Sequence, residues 1–198
     1  MTITVAVNGY GVIGKRVADA VRAMSDMDLV GVADVATDWR VQAAVGLGIE
    51  VFSATADADT AMREGGVPLA GTLSDLLDRV DLVVDTTPKN VAAANLQRYQ
   101  AVGVKAIFQG GEPHATTGHS FVAQANYATA LGRDTTRVVS CNTTSIVRIL
   151  GALQDAKLLA RARGVLIRRA TDPWESHQGG IMNTVVPEGS IPSHQGPD

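Results

Sequence analysis

One stretch constrains the fold more than any other: Ile3-Thr4-Val5-Ala6-Val7-Asn8 running into Gly9-Tyr10-Gly11-Val12-Ile13-Gly14. The first six residues are a short β-branched run, the pattern of a strand buried on both faces. Val12 to Met24 then carries apolar residues at Val12, Ile13, Val17, Val21 and Met24, close to the period of a helix. Leu29 to Ala33 is a second apolar run, closed by Asp34 twenty residues beyond Gly14. A bare G-x-G-x-x-G is a weak signal. Preceded by a strand, opening a helix and followed by an acid at the end of the next strand, it is a dinucleotide fingerprint. Gly9 permits the tight turn, Gly11 lets the backbone approach a pyrophosphate, and Gly14 lets helix and strand pack closely. The free N–H groups at the start of the helix complete an anion site.

Asp34 admits two readings. As a ligand it accepts hydrogen bonds from the adenosine ribose and repels a 2′-phosphate, favouring NAD over NADP. Otherwise it caps the turn that follows its strand.

The alternation continues along the chain. Ile49 to Phe52 reads as a short strand, Leu73 to Val80 as a short helix, and Leu82 to Asp85 as a strand ending at Thr86-Thr87-Pro88. Asn90 to Ala101 reads as a helix and Val104 to Phe108 as a strand ending at Gly110-Gly111. Strands alternating with helices predict a parallel, doubly wound α/β sheet. Arg137 to Ser140 is a further strand, and Ser145 to Ala162 a long helix with Ile146, Ile149, Leu150, Leu153 and Leu158 on one face. Val165 to Arg169 is another strand, and the chain from Thr171 is rich in Gly, Pro, Ser and His. Its loop-like close suggests a truncated second unit.

Composition excludes several classes. The net charge of −3 is too weak to suggest nucleic-acid or membrane partners, and 45% hydrophobic with 19% charged residues describes a globular protein. No apolar run reaches the ~18 residues of a membrane span. The N-terminus reads as a strand and not as a signal peptide, so a soluble cytoplasmic protein is expected.

Cys141 is the single cysteine of the chain. A lone cysteine is commonly a small buried apolar residue. Placed between a strand and a helix, it also meets backbone amides that favour a thiolate and can donate to an oxyanion. A thiolate beside a nicotinamide points to aldehyde oxidation through a thioester. Arg168 and Arg169 form a basic pair in which one residue faces a phosphate. The histidines, His114, His119, His177 and His194, are too dispersed for structural zinc, and no metal is expected. Solvated loop histidines are expected for the first three, whereas His194 has a rigid setting suited to a substrate role.

The stretches NGYGVIGKRVADA, KAIFQGGE, RVVSCNTT, RRATDP and PSHQGPD resemble, in order and spacing, the archaeal-type (type II) glyceraldehyde-3-phosphate dehydrogenases. The resemblance implies a Rossmann NAD(P)-binding domain over residues 1–140, and the start of an α+β catalytic domain over residues 141–198. It implies Cys141 as nucleophile with Ser140 and Asn142 beside it, and Val12, Ile13, Gly111 and Arg169 at the cofactor. His194 and Gln195 are implied at the substrate phosphates, with Gln195 standing where the family often has a second histidine. Members favouring NADP tend to carry lysine at the position of Asp34, so NAD is the expected cofactor and NADP the second. Glyceraldehyde 3-phosphate and phosphate are the implied substrates, and a homo-oligomer, a tetramer, the implied assembly. The family's chain is longer and its catalytic base lies beyond Asp198, so turnover is not expected of these residues alone. The alternatives are another cysteine-dependent semialdehyde or acyl-phosphate reductase, or an inactive NAD-binding fragment.

Overall fold

The structure, a computed structural model, describes residues 2–88 and 91–164. It divides into two compact units, Met1–Val139 and Ser140–Asp198.

The first unit is built on a single eight-stranded sheet. In chain order the strands are β1 (Ile3–Asn8), β2 (Met27–Asp34), β3 (Val51–Ser53), β4 (Leu69–Thr72), β5 (Leu82–Asp85), β6 (Lys105–Phe108), β7 (Ser120–Phe121) and β8 (Thr135–Val138). They lie in the order β4-β3-β2-β1-β5-β6-β8-β7, and every pairing is parallel. The expected doubly wound parallel sheet is therefore present. Its order reverses between β1 and β5, and in such sheets the crevice beyond the strand ends at that point is where ligands bind.

The helices of this unit are α1 (Val12–Arg22), α2 (Trp39–Gly46), α3 (Ala56–Glu64), α4 (Leu73–Leu77), α5 (Ala92–Val102), α6 (His114–Thr117) and α7 (Ala123–Ala130). Three of them start on side-chain caps. Asp38 accepts from Arg40 N–H, Thr55 from Ala58 N–H, and Thr72 forms a reciprocal capping box with Asp75.

Residue alternation along the strands sorts the core into faces. Ala6 and Val83 pack with Leu73, Leu76, Leu77, Tyr99 and Phe108, whereas Val7 and Val32 pack with Ala18, Val41, Ala44 and Met62. Val5 and Val84 join Val21 of α1. A strand covered on both faces has no polar side, which is why β1 and β5 read as continuous apolar runs. The same period of two carries Asn8 and Asp85, at the ends of β1 and β5, onto the face shared by Ala6, Val83 and Tyr99.

Several expectations are corrected. The buried row of α1 is Gly14, Ala18 and Val21, and Ile13 and Met24 are exposed. Gly14 and Ala18 let this helix lie close to the sheet, where Val17 and Val21 pack and Ile13 does not. The strand expected over Arg137 to Ser140 is Thr135–Val138. In the second unit the helix expected over Ser145 to Ala162 is α8, Cys141–Asp155. It starts early because the Ser140 hydroxyl accepts from the Thr143 N–H at 3.1 Å and caps it. It stops at a Schellman closure, where Lys157 N–H donates to Gln154 O at 2.8 Å and Leu158 N–H to Leu153 O at 2.8 Å. Lys157 adopts the left-handed conformation this closure requires, with φ 59°. Leu158 thus lies past the helix, and Ile146, Ile149 and Leu153 are exposed. The strand expected over Val165 to Arg169 lies outside the described residues.

Candidate functional site

At the reversal of strand order, β1 ends in the glycine turn. Gly9 holds φ +94°, a left-handed conformation that side chains rarely adopt. Gly9 N–H donates to Ala33 O at 2.8 Å, and the Thr86 hydroxyl donates to Gly9 O at 2.5 Å. The turn is therefore tied to β2 on one side and to the end of β5 on the other. A Cβ on Gly14 would lie 1.8 Å from Gly9 O and 2.8 Å from Thr86 Oγ1, so no other residue fits there. A Cβ on Gly11 would meet nothing within 4 Å. One glycine is required by protein packing, and the other borders open space.

Gly11 is also the N-cap of α1, which has no side-chain cap and no acid in its first turn. The N–H groups at a helix start lack partners within the helix and carry the positive end of its dipole. Val12 and Ile13, its first two residues, frame this opening, Ile13 being 47% exposed. Bare amides, a positive pole and room for a bulky anion fit the pyrophosphate of a dinucleotide.

Asp34 acts here as a cap. Its Oδ2 accepts from Tyr10 N–H at 2.5 Å, and its Oδ1 accepts from Val35 and Ala36 N–H at 2.7 and 2.9 Å. A carboxylate offers about four acceptor sites, so roughly one is left for a ribose hydroxyl. Arg40 forms an ion pair with Asp38 and also feels the Asp34 charge; the bond to Asp38 is the main cause of its raised pKa.

Behind the turn lies a buried polar network that local sequence patterns did not reveal. Asn8 Nδ2 donates to Tyr99 Oη at 2.7 Å, and Tyr99 Oη donates to Asp85 Oδ2 at 2.7 Å. Asn95 Nδ2 reaches the same oxygen at 2.8 Å. Asp85 Oδ1 accepts from the Thr87 N–H at 2.9 Å and from its hydroxyl at 2.6 Å. Burial, and then the charge of Asp85, push the Tyr99 hydroxyl far above its usual range. Tyr99 is thereby held as a neutral donor. Asp85 and Thr86-Thr87 were legible only as the end of a strand.

After β6 the chain turns at Gly110-Gly111-Glu112. Gly111 has φ +88° and borders open space, whereas a Cβ on Gly110 would lie 2.0 Å from Thr87 O. Glu112 is buried, and burial raises its carboxyl pKa, with a further upward push from Asp85.

His119 corrects the expectation of a solvated loop histidine. It is buried, with Nδ1 2.7 Å from Thr136 Oγ1 and Nε2 2.9 Å from Thr129 Oγ1. Thr129 spends its own proton on Asn126 O at 2.7 Å, so Nε2 carries the imidazole proton and Nδ1 accepts from Thr136. Desolvation, then Arg133 and His114, lower its pKa, and the neutral ring is structural. His114 is exposed, with its Nδ1 2.9 Å from Ser120 Oγ.

In the second unit Cys141 is exposed and is the first residue of α8, not a loop residue between strand and helix. The Ser140 hydroxyl caps the Thr143 N–H, leaving the first amides of the helix to a ligand. Asn142 follows in the same turn. Arg168, Arg169, His177, His194 and Gln195 lie outside the described residues.

A separate cavity of about 300 Å³ opens near the starting ends of β2 and β3, lined by Arg22, Asp28, Glu50 and Arg79 among others. Arg79 is already engaged by Glu50 at 2.7 Å. Such a mixture of signs, at the end of the sheet away from the glycine turn, does not suit a pyrophosphate.

Sheet, glycine turn and crevice define a Rossmann-like, NAD-binding α/β fold. The chain belongs to the family described as dihydrodipicolinate reductase, N-terminus, which matches residues 3–143. Across its whole length it is also similar to curated archaeal proteins named glyceraldehyde-3-phosphate dehydrogenase. It is 45% identical to that of Methanothermobacter thermautotrophicus over 197 residues, covering 99% of this chain and 58% of the relative. It is 48% identical to that of Pyrococcus furiosus over 198 residues, covering 100% of this chain and 58% of the relative. The chain thus spans less than two thirds of the length of these relatives. Among solved structures, GenD2 from gentamicin A biosynthesis in complex with NAD is similar at TM-score 0.42 and 24% identity, covering 55% of this chain and 26% of that one.

Proposed function

We propose that these residues belong to a phosphorylating glyceraldehyde-3-phosphate dehydrogenase that takes NAD in preference to NADP. The observation that carries the reading is the uncapped start of α1, with open space at Gly11, beside the point where strand order reverses. The names of the archaeal relatives narrow the chemistry to this aldehyde and do not favour a semialdehyde or acyl-phosphate reductase. In this reading residues 1–140 form the NAD(P)-binding domain and residues 141–198 begin the catalytic domain.

Gly9, Gly11, Val12, Ile13 and Gly14 would hold the pyrophosphate, Asp34 the ribose, and Gly111 the far side of the crevice. When bound, a nicotinamide dinucleotide supplies the hydride acceptor that turns an enzyme-linked hemithioacetal into a thioester. The Cys141 thiolate would attack the aldehyde carbon, forming the C–S bond of that hemithioacetal. Amides of the first turn of α8 would steady the developing oxyanion, with Ser140 and Asn142 against the substrate. Inorganic phosphate would then release the acyl group. Arg169 is assigned to the cofactor, and His194 and Gln195 to the substrate phosphates, by resemblance alone. The general base belongs to no described residue. A soluble, cytoplasmic homo-oligomer without nucleic-acid or membrane partners completes the proposal.

The test is an assay of the full-length protein with glyceraldehyde 3-phosphate, phosphate and NAD. NADH formation that Cys141→Ser abolishes would support the proposal. Unchanged turnover in Cys141→Ser, or none in the wild type, would refute it.

A further inference from the structure

We infer that Glu112 is the positioning residue of the second glycine turn of the crevice, an inference that rests on reading that crevice as a dinucleotide site. Gly110-Gly111 follows β6 at the same end of the sheet as the first glycine turn, with Thr86-Thr87 against both turns, and two bonds hold it in place. Glu112 Oε1 accepts from the Gly110 N–H at 3.0 Å on the entry side. On the exit side Arg137 Nη1 donates to Glu112 O at 2.7 Å, and Arg137 Nε donates to Ser120 Oγ at 2.9 Å. Gly110 is wedged between Thr87 and Glu112, since a Cβ there would lie 2.0 Å from Thr87 O and 2.6 Å from Glu112 Oε1. Gly111, between the two anchors, keeps φ +88°, and a Cβ there would meet nothing within 4 Å.

The carboxyl is a costly way to hold one amide. Glu112 is only 1% exposed, and its Oε2 is buried with no hydrogen-bond partner. Its own backbone N–H and the Arg137 charge favour the ionised carboxyl, but burial outweighs them, so a half-satisfied group here calls for an explanation beyond stability. The explanation offered by the geometry is precision. With a bond to Gly110 on one side and the Thr87 carbonyl on the other, the turn cannot swing, and the Gly111 backbone stays fixed.

The role requires an acceptor at the reach of Glu112 Oε1 and does not require a charge. The experiment is an NADH titration, followed by cofactor fluorescence well below the unfolding temperature, on the full chain carrying Glu112→Gln, Glu112→Asp or Glu112→Leu. The melting temperature of each nucleotide-free variant is measured alongside. Gln keeps the acceptor at the same reach and should rescue binding to within about threefold of wild type. Asp, one methylene short, and Leu, with no acceptor, should weaken binding about tenfold or more while still folded. If Leu fails to fold, the comparison of Asp with Gln decides. Folded Asp or Leu variants that bind within threefold of wild type would overturn the inference, as would a Gln variant as weak as they are. A wild-type chain that does not bind NADH would overturn the crevice reading itself, and Glu112's role with it.

Discussion

Gly11 and Gly14 are three residues apart, yet the same mutation should do different things to them. Alanine at Gly14 puts a methyl 1.8 Å from Gly9 O and 2.9 Å from Gly9 C. Carbon atoms in ordinary contact stay about 3.5–4.0 Å apart, so helix and turn must separate by more than an ångström. The obstacle is backbone, and no rotamer change relieves it. Overpacking of this kind costs about 1–3 kcal/mol, or about 2–12 °C in Tm for a chain of this size, and a backbone clash belongs in the upper half. Alanine at Gly11 meets nothing within 4 Å and finds a permitted φ of −76°. There the loss of a glycine N-cap, up to ~1 kcal/mol, opposes a gain of about 0.4–1 kcal/mol from a stiffer unfolded chain. Tm should move by less than about 4 °C. Both variants should lose NADH affinity, Gly11→Ala because its methyl occupies the approach of the pyrophosphate. Differential scanning fluorimetry and NADH fluorescence titration separate the two effects. A stable Gly14→Ala protein would refute the packing argument, and normal NADH binding by Gly11→Ala would refute the phosphate site.

Tyr99→Phe should destabilise the fold by about 1–3 kcal/mol in urea denaturation, since Asn8 Nδ2 loses its acceptor and Asp85 a donor. By calorimetric titration NAD should bind about 5–150-fold tighter than NADP, the gap expected from one close repulsion of ~1–3 kcal/mol at Asp34. The lower end is expected because three amides already lie on that carboxylate, and tighter NADP binding would point to Arg40. Asp81 accepts from the Thr4 N–H and hydroxyl at 2.9 and 2.8 Å, and these bonds lower its pKa. Its stabilisation is therefore full above the ordinary carboxylate range and lost as pH falls through the native pKa, so Asp81→Asn should make acid unfolding less steep.

The legible parts of the fold were those in which one face or two of an element are decided by neighbouring residues. β1 over Ile3–Asn8 and β5 over Leu82–Asp85 are continuous apolar runs because helices cover both faces, and their ends stood where the sequence placed them. α3 and α7 escaped notice for the opposite reason. α3 buries only Ala58 and Met62, and α7 buries nothing and is broken at Asn126, so neither has an apolar stripe. The caps Thr55 and Thr72-x-x-Asp75 were readable signals that a helix begins. α8 was misplaced because Cys141-Asn142-Thr143-Thr144 looks like a polar loop, and a single hydroxyl at Ser140 makes it a helix start. Within the site, the glycine spacing exposed the turn, but not what holds it. Asn8 and Tyr99 are 91 positions apart, and the partners of His119 stand at Thr129 and Thr136. Such pairs exist only once the fold has brought β1, β5 and α5, or β7, α7 and β8, together.

The central claim is that the nucleotide lies across the glycine turn of β1, Asp34, Thr86-Thr87 and Gly110-Gly111. Amide hydrogen exchange of the chain with and without saturating NAD tests this most directly. The account predicts slowed exchange at residues 9–14, 34–36, 86–87 and 110–112, with little change around Arg22, Asp28 and Glu50. Protection confined to that second cavity, or no protection anywhere, would contradict it.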